Sequence, residues 1–231
     1  MKYVSIDVET TGLNPVMDSV LEFAAVYDCI SRDPERCKIT DLPSLRILVV
    51  PESLRCSAYV AKLHYRLWEE MELADRNQLN DEGWYDKDPG DRNPLNQWNF
   101  VSRPEYVCKL FCEWLDLFEA FYGTDEGDAI HTGARKVNAA GKNFSAFDLP
   151  FIQNLPNWDS VAVSFRRRVM DPALAFWHPG DESLPDLKLC MKRAGYGEFA
   201  VHTALGDARA VACLVRCAFP LGHSEVVTQT S

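Results

Sequence analysis

The stretch that most restricts this chain is its first, KYVSIDVE at residues 2–9. Val4, Ile6 and Val8 alternate with Tyr3, Ser5, Asp7 and Glu9, the period of a strand whose two faces meet different surroundings. The apolar set packs inward, so Asp7 and Glu9, two residues apart, leave the other face together. Two carboxylates on a central, covered strand are costly unless a partner or a cation compensates them. Any fold for this chain has to bring something to that pair. A solvated edge strand accommodates D-x-E equally well, so the rest of the sequence has to decide between the two.

The remaining pattern predicts a mixed α/β sheet with helices on its faces. Thr10-Thr11-Gly12 turns the chain, and the largely apolar run Leu21 to Ile30 returns as a second strand. Leu45 to Val50 makes a third, stopped by Pro51. Helices are expected at 57–73, Pro104 to Tyr122, Ala146 to Leu155, Leu184 to Ala194 and Ala204 to Ala218, with residues 128–143 partly strand-like. Residues 74–103 are rich in Asp, Asn, Gly and Pro around isolated aromatics, and read as a loop insertion. The expected organisation is one domain over residues 1–223 and a flexible tail at 224–231.

Composition narrows the setting. The N-terminus has no apolar signal core, and no apolar run reaches the roughly 20 residues of a membrane span, which points to a cytoplasmic protein with no membrane partner. The eight cysteines, Cys29, Cys37, Cys56, Cys108, Cys112, Cys190, Cys213 and Cys217, form no C-x-x-C pair and read as reduced thiols. A net charge of −10 speaks against tight, extended duplex binding, but not against gripping a few nucleotides at a strand end. Metal-holding carboxylates add to the acidic count and are offset by their ions.

Two more segments carry ionisable groups at telling spacings. KNFSAFDLPFI sets Asn143 four residues ahead of Phe147-Asp148, and HTALGDARAV sets His202 five residues ahead of Asp207. Five helical steps turn a net 140° or so, so His202 and Asp207 cannot share a helix face. The workable arrangement caps the helix at Thr203 and leaves His202 on the preceding loop. In this order VSIDVETTGL, KNFSAFDLPFI and HTALGDARAV resemble the three motifs of the DEDDh (DnaQ-like) 3′–5′ exonucleases, over residues 2 to about 217 apart from 74–103.

That resemblance implies a ribonuclease H-like fold, a mixed sheet of about five strands flanked by helices. It implies a 3′–5′ exonuclease in which Asp7, Glu9, Asp148 and Asp207 hold two Mg²⁺ or Mn²⁺ ions and His202 takes a proton from the attacking water. An all-oxygen donor set suits those ions and not zinc. Thr10, Thr11, Gly12, Leu13, His64 in AKLHYRL, Asn143 and Phe147 fall at matching substrate-contacting positions. The implied partners are single-stranded DNA or RNA 3′ ends, and a polymerase or other nucleic-acid-processing complex. The residues leave open a catalytically silent nucleic-acid-binding or polymerase-associated scaffold. Two basic clusters, Arg166-Arg167-Arg168 and Lys188 with Lys192 and Arg193, are either solvated surface or phosphate guides.

Overall fold

The structure, a computed structural model, describes residues 1–30, 38–74, 76–89, 97–122, 135–158, 163–196 and 202–219. Strand β1 (Lys2–Thr10) and strand β2 (Val20–Cys29) form an antiparallel hairpin in which Asp7 faces Ala24 and Glu9 faces Glu22. Strand β3 (Ser44–Val49) continues the sheet antiparallel to β2. Helices α1 (Ala58–Leu63), α2 (Tyr65–Glu72) and α3 (Arg76–Glu82) follow, then strands β4 (Trp84–Asp86) and β5 (Gln97–Ser102). Helix α4 (Val107–Tyr122) leads to two short strands, β6 (Arg135–Val137) and β7 (Ala139–Ala140). The chain ends with α5 (Asp148–Gln153), β8 (Val163–Phe165), α6 (Leu187–Arg193) and α7 (Ala204–Ala218).

Six strands form one mixed sheet in the order β4-β5-β3-β2-β1-β7, with β3–β5 and β1–β7 parallel. A separate parallel pair joins β6 to β8. This is the mixed α/β sheet expected, with one strand more than the expected five or so.

The two faces of β1 separate as its alternation predicts. Val4, Ile6 and Val8 join Phe23, Leu45 and Ile47 in the largest core cluster, closed by Phe111 and Trp114 of α4 and by Phe151 of α5. On the opposite face, Ala204, Ala208 and Ala212 of α7 meet Ala24 and Val26 of β2. Alanines one turn apart let the helix lie close to the sheet, and that closeness permits polar contacts between them. Ser5 Oγ donates to the Ala208 carbonyl (2.8 Å), and Arg216 bridges to Asp28 through two bonds of 2.7 Å. Asp28 also accepts from the buried Tyr3 hydroxyl (2.8 Å). Asp7 and Glu9 lie on this α7-covered face.

Two expectations are corrected. The helix expected at 57–73 is broken at His64, whose backbone (φ −105°, ψ 29°) ends α1 and starts α2. The residue is buried there, and the break turns its imidazole toward Glu9. The stretch 74–103 is not all loop: it contains α3, β4 and β5, and β5 is hydrogen-bonded between β3 and β4 inside the main sheet. Its strand signal is Trp98 and Phe100 two residues apart, both buried, diluted by a polar neighbourhood. Residues 90–96, 128–134 and the expected tail lie outside the described residues. No disulfide joins cysteines among the described residues, and Cys108, Cys190 and Cys213 are buried. No described helix is long and apolar enough to cross a membrane.

Candidate active site

Three elements bring the acids together. Asp7 and Glu9 project from β1, and Asp207 comes from the first turn of α7, where the Asp207 N–H donates to the Thr203 carbonyl (2.9 Å). Carboxylate oxygens of Asp7, Glu9 and Asp207 all lie within 4.8 Å of one another. Asp148 opens α5 and is 2% exposed. Its Oδ1 accepts from the Val8 backbone N–H at 3.0 Å, which ties the start of α5 to β1 between the other two acids. Thr203 caps α7 by accepting from the Gly206 N–H (3.1 Å), and His202 lies exposed just outside the helix, where the spacing predicted it.

The cluster is electrostatically unbalanced. Burial first, then Asp207, Glu22 and Asp148, pushes Glu9 up to about 8. Burial also lifts Asp148 to about 7, against the opposing pull of the Val8 N–H, and it lifts Asp207 to about 7 with help from Glu22. Asp7, enclosed by the other acids, is raised well above the ordinary carboxylate range, with burial again the largest cause. Among the described residues no lysine or arginine is paired with any of these four. His64 comes near the cluster, with its Nε2 3.6 Å from Glu9 Oε2. Burial and the nearby His202 lower the His64 pKa, so it is a weak counter-ion. Converging carboxylate oxygens are a donor set for a hard divalent ion, and Asp7, Glu9 and Asp207, with Asp148 beside them, fit Mg²⁺ or Mn²⁺.

One acid of the site was not singled out by the sequence. Glu22, fully buried in β2, stands directly across from Glu9. It accepts from Arg46 Nε at 2.7 Å and from the Ala204 N–H, the first residue of α7, at 3.2 Å. Arg46 is held in turn by Glu70 through a two-pronged pair (2.8 and 3.0 Å), and Glu70 by Lys87 (3.1 Å). The chain of charges fastens α2, β2 and the start of α7 together beneath the acids. The available sign was one glutamate inside the apolar run VLEFAAV, legible as buried only once β2 is known to be central. Replacing Glu22 with alanine leaves a nearly buried guanidinium half-compensated and α7 without its anchor. A loss of about 3 kcal/mol is expected, read as a fall of roughly 6–12 °C in melting temperature. Glu22→Gln, which keeps the acceptor for Ala204, should lose less.

The expected substrate positions divide. Thr10 and Thr11 are buried, with Thr10 Oγ1 donating to the Gly12 carbonyl (2.6 Å) and Thr11 Oγ1 accepting from Ser19 N–H (2.8 Å). Both hydroxyls therefore brace the β1–β2 loop. Gly12 is required by its neighbour: a Cβ there would collide with the Asp18 carboxylate, which accepts from the Asn14 N–H. Leu13 projects from this braced loop, 84% exposed. Asn143 is exposed, with positive φ (59°), and its N–H donates to Asp171 (2.9 Å). Phe147 is half-buried against Phe151, and Phe144 is core, edge-on to Phe165. Of the basic groups on α6, Arg193 is committed to Asp181 (2.5 and 2.6 Å) and to the Phe176 carbonyl, so it pins a loop.

The fold is that of DEDDh nuclease domains, the ribonuclease H-like architecture. It is similar to the nuclease domain of 3′hExo, a DEDDh family member, bound to rAMP: TM-score 0.56, 13% identity, 93% of this chain and 89% of that one covered. The Neurospora crassa Pan2 catalytic unit, of protease and nuclease domains, aligns with a TM-score of 0.48 and 14% identity, over 94% of this chain and 26% of that chain. No protein-family model and no curated protein matches the sequence.

Proposed function

We propose that this chain is a DEDDh-type 3′–5′ exonuclease that hydrolyses the terminal phosphodiester bond of single-stranded DNA or RNA and releases nucleoside 5′-monophosphates. The observation that carries this reading is the convergence of Asp7, Glu9 and Asp207, with Asp148 beside them, from three separate elements. Four clustered, mutually repelling carboxylates, one buried and three partly buried, weaken a fold, and a silent scaffold has no use for them. Two Mg²⁺ or Mn²⁺ ions in that cluster supply the charge that neutralises the scissile phosphate and activates water. The solved neighbour with rAMP holds a nucleoside monophosphate, the class of product proposed here.

The chain's own groups do the rest. His202, exposed at the end of the link into α7, is placed to reach an attacking water and accept its proton. His64 is buried beside Glu9, and its Nδ1 has no hydrogen-bond partner among the described residues. Leu13 offers an apolar surface against the terminal base.

The test is a 5′-labelled linear oligonucleotide beside a circular one of the same sequence, each with EDTA or Mg²⁺. Stepwise shortening of the linear strand in Mg²⁺ alone is expected, with the circle intact. Cleavage of the circle shows an endonuclease instead, and no cleavage of either leaves the scaffold.

A further inference from the structure

The basic cluster Arg166-Arg167-Arg168 has no role in the site described above, and the structure gives it company. Parallel pairing of β6 with β8 sets Lys136 against Ser164 and Val137 against Phe165, so two basic segments distant in sequence lie side by side. Together, residues 135–147 and 163–170 contain six of the chain's 24 Lys and Arg and none of its 34 Asp and Glu. In a chain of net charge −10 that is a pronounced local reversal of sign.

The backbone then lifts the arginines out. The Arg166 N–H bonds to the Val137 carbonyl and the Met170 N–H to the Ala139 carbonyl. Four steps of one strand (166 to 170) therefore match two of the other (137 to 139), which is a two-residue bulge at Arg167 and Arg168. All three arginines and Lys136 are exposed. The bulge flanks residues 137–139, and Ala139 pairs with Val4 of β1, so Asp7 lies farther along the same direction. Three residues separate Val4 from Asp7, about 10 Å along the strand at 3.3 Å per residue. Lys142 follows β7 by two residues, beyond the site end of that strand.

Resting on the exonuclease reading, we propose that Lys136 and Arg166-Arg167-Arg168 form a landing for the phosphate backbone of the single strand upstream of the cleaved end. The occupant is a polyanion with regularly spaced charges, which guanidinium and ammonium groups bind with release of counterions and without reading bases. Short products would not reach the landing, so it holds long strands and lets spent nucleotides go.

The experiment measures binding of fluorescent oligothymidylates of about twelve and about three nucleotides, by anisotropy in EDTA over a range of salt. The R167S/R168S variant spares Arg166, whose N–H belongs to the sheet. The wild-type protein is expected to bind the longer probe more tightly than the shorter one. The variant should lose about tenfold on the longer probe alone, with a salt slope shallower by roughly 1.4, or 0.7 for each of two phosphates. R167K/R168K should restore most of it. An unchanged length preference and slope overturns the proposal, as does equal weakening on both probes, which signals damage to the site itself. Competition by polyglutamate as strong as by oligothymidylate also overturns it, in favour of an acidic protein partner. Arginine-dependent preference for the longer probe in a protein that shortens no strand supports the landing while the exonuclease reading falls.

Discussion

Asp7→Asn should abolish metal-dependent cleavage and at the same time make the metal-free protein more stable. Asp7 sits among the other acids, with burial and the charges of Asp148, Asp207, Glu9 and Glu22 all opposing its ionisation. An amide of the same shape removes one negative charge from a group that has no paired lysine or arginine among the described residues. Relief of that repulsion is expected to raise the melting temperature at pH 8 by about 2–4 °C, the equivalent of about 1 kcal/mol. The gain should shrink as pH falls and the raised carboxylates of the parent take up protons. On the proposed reading the same change also removes a metal ligand, and a loss of about 10⁴-fold or more in rate is expected, roughly 5 kcal/mol of transition-state stabilisation. Activity and stability moving in opposite directions is the signature of a functional site. Parallel losses of both would instead mark Asp7 as structural.

The second large effect links pH, metal and stability. Glu9 at about 8, and Asp148 and Asp207 at about 7, all lie above the value near 4 of an unfolded carboxylate. The folded state therefore holds protons that the unfolded chain has released, and stability must fall as pH rises from about 4 to about 8. Below pH 4 both states are protonated and the difference disappears. Mg²⁺ binds only the ionised cluster, so its stabilising effect should grow across the same window. Melting curves in EDTA should drop steadily from pH 5 to pH 8. Saturating Mg²⁺ should raise the melting temperature by about 5 °C or more at pH 8 and scarcely at all at pH 5. Flat EDTA curves, or a Mg²⁺ effect independent of pH, would show that these carboxylates are compensated in some other way.

How much of this was legible beforehand depends on how local each signal is. The alternation of β1 and the capped start of α7 are local patterns, and both came through, including the placement of His202 outside the helix. The break at His64 was not legible, because nothing in AYVAKLHYRL disfavours one continuous helix. The break is imposed by burial of the imidazole beside Glu9. Strand β5 was hidden for the opposite reason: its own residues alternate weakly, and it is a strand because β3 and β4 offer it hydrogen bonds on both sides.

Among the site residues, the pairing of Asp7 with Glu9 is a property of one strand and could be read directly. The hydroxyls of Thr10 and Thr11, matched to substrate positions by motif, turn out to be engaged inside their own loop, a distinction that motif spacing does not contain. Glu22 and Arg46 sit in different strands with ordinary surroundings in sequence, and only the register of β2 between β1 and β3 makes them one buried network.

By itself, then, the sequence determined what is periodic or contiguous: two acids on one face of a covered strand, a helix capped by Thr203, and an acidic chain with one arginine run. The tertiary structure decided what depends on elements far apart in the chain. Asp207 reaches Asp7 and Glu9 because alanines on α7 let it lie against β1 and β2, and Glu22 fastens that helix at its first residue. The arginine run became a candidate backbone landing only when β8 paired with β6 and pushed it outward. Backbone pairing and burial act between residues that share no neighbours in sequence, which is why the composition of each segment was visible alone and its purpose was not.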